Sequence, residues 1–323
     1  MNRNKKLIRV VLMWIMSSIL LTALGTSVLA SNPKYKFVLA SHGSEGDPFW
    51  TRIKNGMEDA AKLLGVDAVM QYSKGNIGKE VDFVDVAVVA GVDGLGVVIS
   101  DSDAFDVPIQ RAIDAGIVVV AFNTDDAEGG KGNARLAYIG QDFARAGYAI
   151  GKRMAELLPE GSHVVCPVEI PGAVYARKRY EGVKKAMDEK GITSEMLDAG
   201  YETLALTLSR IEAYLLGHPE TDAVVSLGGM PTEMAPLAIE ELELKDVLNG
   251  GFDITPGIVK NIKEGRTIAT VDQQPYAQAF ITVVQLYLAK YAAISPMDID
   301  TGSGLVDETN VHIVAALTEK GLR

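Results

Sequence analysis

Short apolar runs alternate with amphipathic stretches along most of this chain. Runs such as 117–123 and 164–168 are apolar at consecutive positions, which is typical of strands in a parallel sheet that is covered on both faces. The stretch 48–64 instead has apolar residues at helical spacing, and Gly65 follows it where a helix should end. Strands and helices in strict alternation predict an α/β fold with a doubly wound parallel sheet.

The pattern of elements is repeated along the chain. Up to residue 123 it predicts strands at 35–41, 67–72, 94–100 and 117–123, and helices at 48–64, 80–90 and 108–115. After a polar segment at 123–135 it predicts strands at 136–140 and 164–168, and helices at 144–158 and 175–190. A shared spacing links two helices, since Gly56, Ala60 and Gly65 match Gly182, Ala186 and Gly191 at identical offsets. The repetition predicts two similar lobes with a ligand cleft between them.

The first thirty residues form a candidate signal peptide. Four basic residues precede an apolar run at 10–24, and Val28-Leu29-Ala30 closes the segment with small or short residues. This arrangement is typical of a cleaved secretory signal, and the apolar run is short for a membrane span. We therefore expect cleavage near Ala30 and a soluble protein exported to the periplasm, rather than one held by an uncleaved anchor.

Charge and cysteine content narrow the classes of partner. The net charge is −11, and it falls to −15 without residues 1–30 because these carry four basic residues and no acid. So acidic a chain is unsuited to nucleic acid or to an anionic membrane surface. Its one cysteine, Cys166, lies in an apolar run, so no disulfide framework is expected and the chain must bury its own core.

Candidate ligand contacts follow the first predicted strand. Pro48 suits the first position of a helix and Asp47 suits its cap, which would place Phe49 and Trp50 beside the cleft. Aromatic faces there would stack on the C–H faces of a sugar ring. Two alternatives remain open: one of the aromatics belongs to the core, or Asp47 is only a helix cap.

Polar residues recur at the ends of later strands and at the start of one helix. Ligands of open parallel sheets bind beyond the carboxyl ends of the strands. Carboxylate, amide and guanidinium groups there can hydrogen-bond paired hydroxyls of a ligand. The residues concerned are Asn123, Asp125, Asp253, Gln273 and Arg177.

Three stretches resemble one known family. Phe49-Trp50 with the small residues of helix 48–64, the segment 92–125 with its A-x-x-A-G-I-x-V-V core, and the segment 251–279 are similar to the periplasmic ribose- and galactose-type sugar-binding proteins. The resemblance covers nearly the whole chain after residue 30. It implies the type I periplasmic binding fold, two lobes joined by a three-crossing hinge, and delivery of a sugar to an ABC permease.

The resemblance also implies lobe boundaries and site residues. Crossings near Ile139, Pro275 and Gly304 divide the chain into a first lobe of 31–139 plus 275–304 and a second of 140–274 plus 305–323. The resemblance implies first-lobe contacts at Asp47, Phe49 and Trp50. Asn123 aligns with a position where the family commonly has Asp or Asn. The second-lobe and hinge contacts align with Arg177, Asp253 and Gln273.

The sequence departs from the ribose-type pattern at several positions. Thr124 stands where an arginine is usual, and Gly228-Gly229-Met230 replaces an expected Asn-Asp pair. His42, a further candidate contact, and the doubled Gln273-Gln274 mark a separate branch. The ligand is then not simply ribose, and a pentose, hexose or sugar alcohol remains open.

Three other functions are compatible with parts of this sequence. An exported carbohydrate-active enzyme would need two carboxylates, which Asp47, Glu45, Asp253 and Glu169 could supply, but the spacing singles out no pair among them. A sugar-responsive repressor would need a basic DNA-binding helix pair at its amino terminus. This chain has a candidate signal peptide there instead. A receptor that presents a sugar-like signal to a chemoreceptor or sensor kinase remains open. We expect no enzymatic activity, cofactor, metal or nucleic acid, and a monomer.

Overall fold

The computed structural model describes residues 34–323, so the signal-peptide prediction for residues 1–30 lies outside the described residues. Up to residue 140 the elements are β1 (Lys36–Ser41), α1 (Pro48–Leu64), β2 (Asp67–Tyr72), α2 (Ile77–Ala90), β3 (Gly94–Val97), α3 (Ser102–Asp114), β4 (Val118–Asn123) and β5 (Tyr138–Gly140), with a short 3₁₀ turn at Gly129–Lys131. Up to residue 272 they are α4 (Phe143–Ala155), β6 (His163–Val168), α5 (Val174–Asp188), β7 (Thr193–Asp198), α6 (Leu204–Gly217), β8 (Thr221–Val225), α7 (Gly229–Glu241), β9 (Leu248–Phe252), α8 (Pro256–Lys263) and β10 (Ala269–Asp272). The last elements are α9 (Pro275–Ala292), β11 (Ile299–Asp300), β12 (Gly304–Asp307) and α10 (Val311–Thr318).

The strands form two six-stranded sheets, one in each lobe. The first sheet has the order β11-β5-β4-β3-β1-β2 and is parallel throughout. The second has the order β12-β10-β9-β8-β6-β7, and only β12 runs antiparallel to its neighbour. The expected α/β fold with two similar doubly wound lobes is therefore confirmed.

The apolar strands are buried on both faces of the sheet. In β4, Val119 and Ala121 belong to one core cluster, whereas Val120 and Phe122 belong to another on the opposite face. Helices on both sides cover the sheet, which explains why consecutive positions of the strand are apolar. None of the helices within residues 34–323 is both long and apolar enough to cross a membrane.

The chain passes between the sheets three times. It leaves the first sheet after Gly140, returns after Asp272 to form α9, which packs on α1, and leaves again between β11 and β12. These passages lie next to the boundaries predicted at 139, 275 and 304. The division into two lobes that move as separate bodies remains a prediction.

The repeated glycine spacing corresponds to the same helix contact in each lobe. A Cβ atom on Gly56 of α1 would lie 2.1 Å from the carbonyl oxygen of Tyr276 in α9, and one on Gly182 of α5 would lie 2.0 Å from that of Ala144 in α4. Each glycine lets two helix backbones meet. The sequence match therefore reflects equivalent packing in the two lobes.

The largest differences from the predicted bounds, of three residues or more, are two helix starts, one strand end and the end of α4, which lies at Ala155 rather than at residue 158. The helix predicted at 108–115 begins at Ser102, with Pro108 inside it, because the Asp101 carboxylate caps it by accepting from the Ala104 amide at 3.0 Å. Similarly, α2 begins at Ile77 rather than at residue 80 because Asn76 caps it. The third strand ends at Val97 instead of Ser100.

Candidate functional site

A cavity of about 470 Å³ lies at the carboxyl ends of strands from both sheets. The segment after β1 and the end of β4 contribute from the first sheet, and the segments after β6 and β9 contribute from the second. Of the nine predicted site residues, seven line this cavity, and two lie outside its lining. The seven are His42, Asp47, Phe49, Trp50, Asn123, Asp253 and Gln273.

The structure does not bring Arg177 into the cavity, and the arginine that lines it is Arg179. Arg177 is exposed and donates to the carbonyl oxygen of Gly172. Arg179 is only 3% exposed because it lies on the inward face of α5 with Ala176 and Val183. The helical spacing of these buried residues is the sequence signal that separates the two arginines.

Arg179 is enclosed by aromatic rings and accepting groups. Its guanidinium carbon lies 4.1 Å from the centre of the Phe252 ring and 5.0 Å from that of Phe143. It donates to the carbonyl oxygen of Leu227 at 2.8 Å and to Oε1 of Gln141 at 3.3 Å. Burial lowers the pKa of Arg179 from its ordinary value, while nearby carboxylates led by that of Asp253 oppose the shift.

Asp125 also lies outside the cavity lining, and its carboxylate forms an ion pair with Arg135. The guanidinium donates to both oxygens of Asp125, and Arg135 itself is only 8% exposed. Burial raises the pKa of Asp125, although the bond to Arg135 acts in the opposite direction. Asp125 therefore fastens the loop after β4 rather than facing the cavity.

The two aromatic residues differ in burial. Trp50 is 4% exposed and belongs to the core cluster of the first lobe, with its ring edge-on to that of His42 at 5.0 Å. Its ring also covers Gly43, where a Cβ atom would lie 2.3 Å from it. Phe49 is only partly buried and packs against that cluster. Trp50 is thus both a core residue and part of the cavity wall.

Asp47 combines the capping role with a place in the cavity wall. Its Oδ1 accepts from the amides of Phe49 at 2.7 Å and Trp50 at 3.3 Å. Oδ2 has no hydrogen-bond partner within residues 34–323. Burial raises the pKa of Asp47, and the two amide bonds partly offset this rise. The cap and the ligand contact are therefore compatible.

Two strand exits have left-handed backbone conformations. Asn123 has φ 63° and Asp253 has φ 74°, a region that asparagine and aspartate tolerate better than most residues. The Asn123 amide donates to Oε1 of Gln278 at 3.0 Å, and the Gln273 amide donates to Oδ1 of Asp253. These bonds fix the orientation of the Asn123 and Asp253 side chains, which line the cavity.

A hydrogen-bonded chain leads from His42 into the first lobe. Its Nδ1 lies 3.1 Å from Oγ of Ser100, and that hydroxyl donates to Oε2 of Glu80 at 2.8 Å. Glu80 is fully buried. Burial raises the pKa of Glu80 to about 8 and lowers the pKa of His42 to about 4. Both side chains are consequently uncharged near pH 7.

Several lining residues were not assigned to the ligand site from the sequence. One of these is Glu169, whose Oε1 accepts from the Met230 amide at 3.0 Å and whose Oε2 accepts from the Tyr175 hydroxyl at 3.3 Å. Tyr201 and Glu233 also line the cavity. Glu169 directly follows β6, so the strand-end rule points to it, whereas Tyr201 lies in a loop and Glu233 lies within α7, where that rule does not apply.

The chemistry of the cavity suits a polyhydroxylated ligand. Carboxylates and amides accept from and donate to hydroxyl groups, and Phe49 and Trp50 provide apolar faces. Within residues 34–323 there is no group of three or more histidine, cysteine, aspartate or glutamate side chains arranged to hold a metal ion.

Comparison with known proteins points to one family. The periplasmic binding protein domain matches residues 37–291. A xylose/arabinose-binding protein of Sulfolobus acidocaldarius is 30% identical over 298 residues, which cover 87% of this chain and 73% of that protein.

Two solved structures have the same architecture. A carbohydrate transporter from Acidothermus cellulolyticus, in complex with myo-inositol, is 29% identical with a TM-score of 0.81, covering 90% of this chain and 100% of that one. An ABC sugar transporter (periplasmic sugar binding protein) from Legionella pneumophila is 28% identical with a TM-score of 0.76, covering 83% and 100%.

Proposed function

The chain belongs to the periplasmic binding protein family, and from that premise we propose that it captures a monosaccharide or sugar alcohol outside the cytoplasm. The observation that carries the proposal is the cavity itself, where hydrogen-bonding side chains from both lobes surround an aromatic wall. A ligand there would contact both lobes at once.

The names of similar proteins support the ligand class. The Sulfolobus relative is a xylose/arabinose-binding protein, and the Acidothermus structure contains myo-inositol. Pentoses and cyclitols share a ring with hydroxyl groups on its edge and C–H groups on its faces. The seven predicted residues that line the cavity, together with Arg179, are the proposed ligand contacts.

The proposed partner is an ABC permease that accepts the sugar. The Legionella structure is described as an ABC sugar transporter's periplasmic sugar binding protein. Export by a cleaved signal at residues 1–30 is part of this proposal. The alternative of an exported enzyme is not supported, because the Sulfolobus relative and the Legionella structure are both named as binding proteins.

Capture would proceed by closure of the two lobes about the three passages between the sheets. Contacts from both lobes can be made together only in the closed form, so the ligand stabilises that form by its differential affinity. The permease would then recognise the closed surface.

A thermal-shift screen tests the proposal, because a ligand that binds only the folded state raises the unfolding midpoint. We expect at least one of D-xylose, L-arabinose, D-ribose, D-glucose and myo-inositol to raise the midpoint, and small-angle scattering to show compaction with the same sugar. A flat response to the panel would contradict sugar capture, and a midpoint shift without compaction would contradict closure alone.

A further inference from the structure

Gly228 lies at the cavity without any backbone need for glycine. Its φ and ψ are −154° and 176°, an extended conformation that any residue adopts. A Cβ atom at this position would nevertheless lie 2.0 Å from Oε2 of Glu169. The space that a side chain would need is occupied by the Glu169 carboxylate, so these two positions are coupled.

The Glu169 carboxylate is held in a defined position. The Met230 amide donates to Oε1 at 3.0 Å, and the Tyr175 hydroxyl donates to Oε2 at 3.3 Å. A carboxylate can accept about four hydrogen bonds. Two protein donors therefore fix the group and leave acceptor capacity on a side chain that lines the cavity.

Most of the ionisable side chains around this carboxylate are acidic. Asp47, Glu233 and Asp253 also line the cavity, and Arg179 is the single guanidinium or ammonium group among the described lining residues. Arg179 donates from Nη1 and Nη2 to two protein groups, and its buried Nε has no hydrogen-bond partner within residues 34–323. A ligand hydroxyl would find acceptors here, whereas a ligand carboxylate or phosphate would face like charges at low dielectric.

We propose that Glu169 is a specificity-determining residue, which accepts a hydrogen bond from a ligand hydroxyl and selects neutral polyhydroxylated ligands over sugar acids and sugar phosphates. The proposal rests on the proposed function, because it concerns the same cavity. Gly228 serves this selection by leaving room for the carboxylate.

Titration calorimetry on the whole protein tests the selection, with D-xylose, D-glucose and myo-inositol as neutral probes and D-glucuronate and D-ribose 5-phosphate as anionic ones. We expect the wild type to bind its preferred neutral probe at least about 100-fold more tightly than either anion. Glu169→Gln keeps the shape and removes the charge, so it should weaken neutral binding about tenfold or more and reduce the preference over anions. Glu45→Gln is the matched control, since Glu45 is exposed and lies outside this cavity.

A double-mutant cycle tests the coupling of the two positions. Gly228→Ala should weaken neutral binding by displacing the carboxylate, but it should add no further loss in a Glu169→Gly background. Circular dichroism checks that each variant is folded.

Three results would overturn the inference. Neutral binding that Glu169→Gln leaves unchanged, or weakens no more than Glu45→Gln does, would refute the role of Glu169 while sugar capture stands. Independent effects of the two substitutions in the cycle would refute the coupling. Failure of the wild type to bind any neutral probe would remove the proposed function and this inference with it.

Discussion

Nδ1 of His42 lies 3.1 Å from Oγ of Ser100, so the orientation of a cavity-lining ring is set by a residue outside the cavity lining. The Ser100 oxygen also lies 2.8 Å from Oε2 of Glu80, and because Glu80 holds a proton near pH 7, the hydroxyls of Ser100 and Glu80 can each donate along this chain. The direction of these bonds decides which ring nitrogen of the neutral His42 carries the proton. Ligand affinity should accordingly depend on Ser100.

Replacement of Ser100 by alanine should weaken sugar binding about fivefold, which corresponds to loss of one hydrogen bond of about 1 kcal/mol. The physical reason is that the His42 ring loses the hydrogen-bond partner that fixes its orientation. Titration calorimetry measures the change. Ser73→Ala is the control, because Ser73 is also buried but its hydroxyl has no hydrogen-bond partner within residues 34–323. Equal affinities for Ser100→Ala and the wild type would contradict the orienting role.

Stability should decrease as the pH rises from about 6.5 to 8. The pKa of Glu80 is raised from 4.5 to about 8 by burial, so in this window the folded state holds a proton that the unfolded state has lost. The free energy of unfolding then falls by about 2 kcal/mol across the window. Below pH 6.5 the lowered pKa of His42 acts in the opposite direction, because its stabilisation is lost as the pH falls from 6.5 towards about 4.

Urea unfolding at pH 6.5 and 8 checks this dependence. Glu80→Gln should show a flatter profile between these values, whereas Glu45→Gln should keep the wild-type slope. A slope that survives in Glu80→Gln would assign the effect to another group.

Alanine substitutions at Phe49 and Trp50 should affect ligand affinity and folding stability differently. Phe49→Ala should weaken binding by about 1–3 kcal/mol, since its partly exposed ring is available to a ligand face. Trp50→Ala should in addition lower the free energy of unfolding by about 3–5 kcal/mol, because Trp50 is a core residue. Calorimetry and urea unfolding of both variants distinguish the roles. Unchanged affinity in Phe49→Ala would remove it from the proposed contacts.

Substitutions at the two arginines of α5, Arg177 and Arg179, should differ in their effect on ligand affinity. Arg179→Met should weaken binding by about 2–5 kcal/mol, because the charge opposite Asp253 and Glu169 is lost from a buried position. Arg177→Met should leave the affinity within twofold, since Arg177 is exposed. Equilibrium binding of the pair decides the assignment, and a larger loss in Arg177→Met would restore the position predicted from the sequence.

Much of the fold could be predicted from the sequence because it depends on patterns that are local. The helix from Pro48 to Leu64 begins at a proline after a capping aspartate and ends before a glycine, and the prediction matched both ends. The start of α3 was missed because Pro108 resembles a helix start, whereas the cap that decides it is Asp101.

The site was predictable to the extent that it lies at strand ends. Asp253 and Asn123 directly end or follow strands, and both line the cavity. Arg177 and Asp125 were predicted to contact the ligand but lie outside the cavity lining, for different reasons. The first depends on the rotation of α5 relative to the core, and the second on a partner, Arg135, ten residues away in a loop. Glu169 directly follows β6 and could have been selected by the same strand-end rule, although the bond that holds its carboxylate comes from Met230, 61 residues away.

The close contact between α4 and α5 also has a consequence for how genetic data on this protein should be interpreted. A Cβ atom on Gly147 would lie 2.0 Å from the carbonyl oxygen of Arg179, and a backbone atom cannot move aside as a side chain can. Alanine at this position would push the helix that carries the arginine away from its neighbour. A selection for growth on the sugar would then identify Gly147→Ala as a transport-defective variant, although Gly147 does not line the cavity. Loss-of-uptake alleles therefore map the spacing of these helices as well as the binding surface.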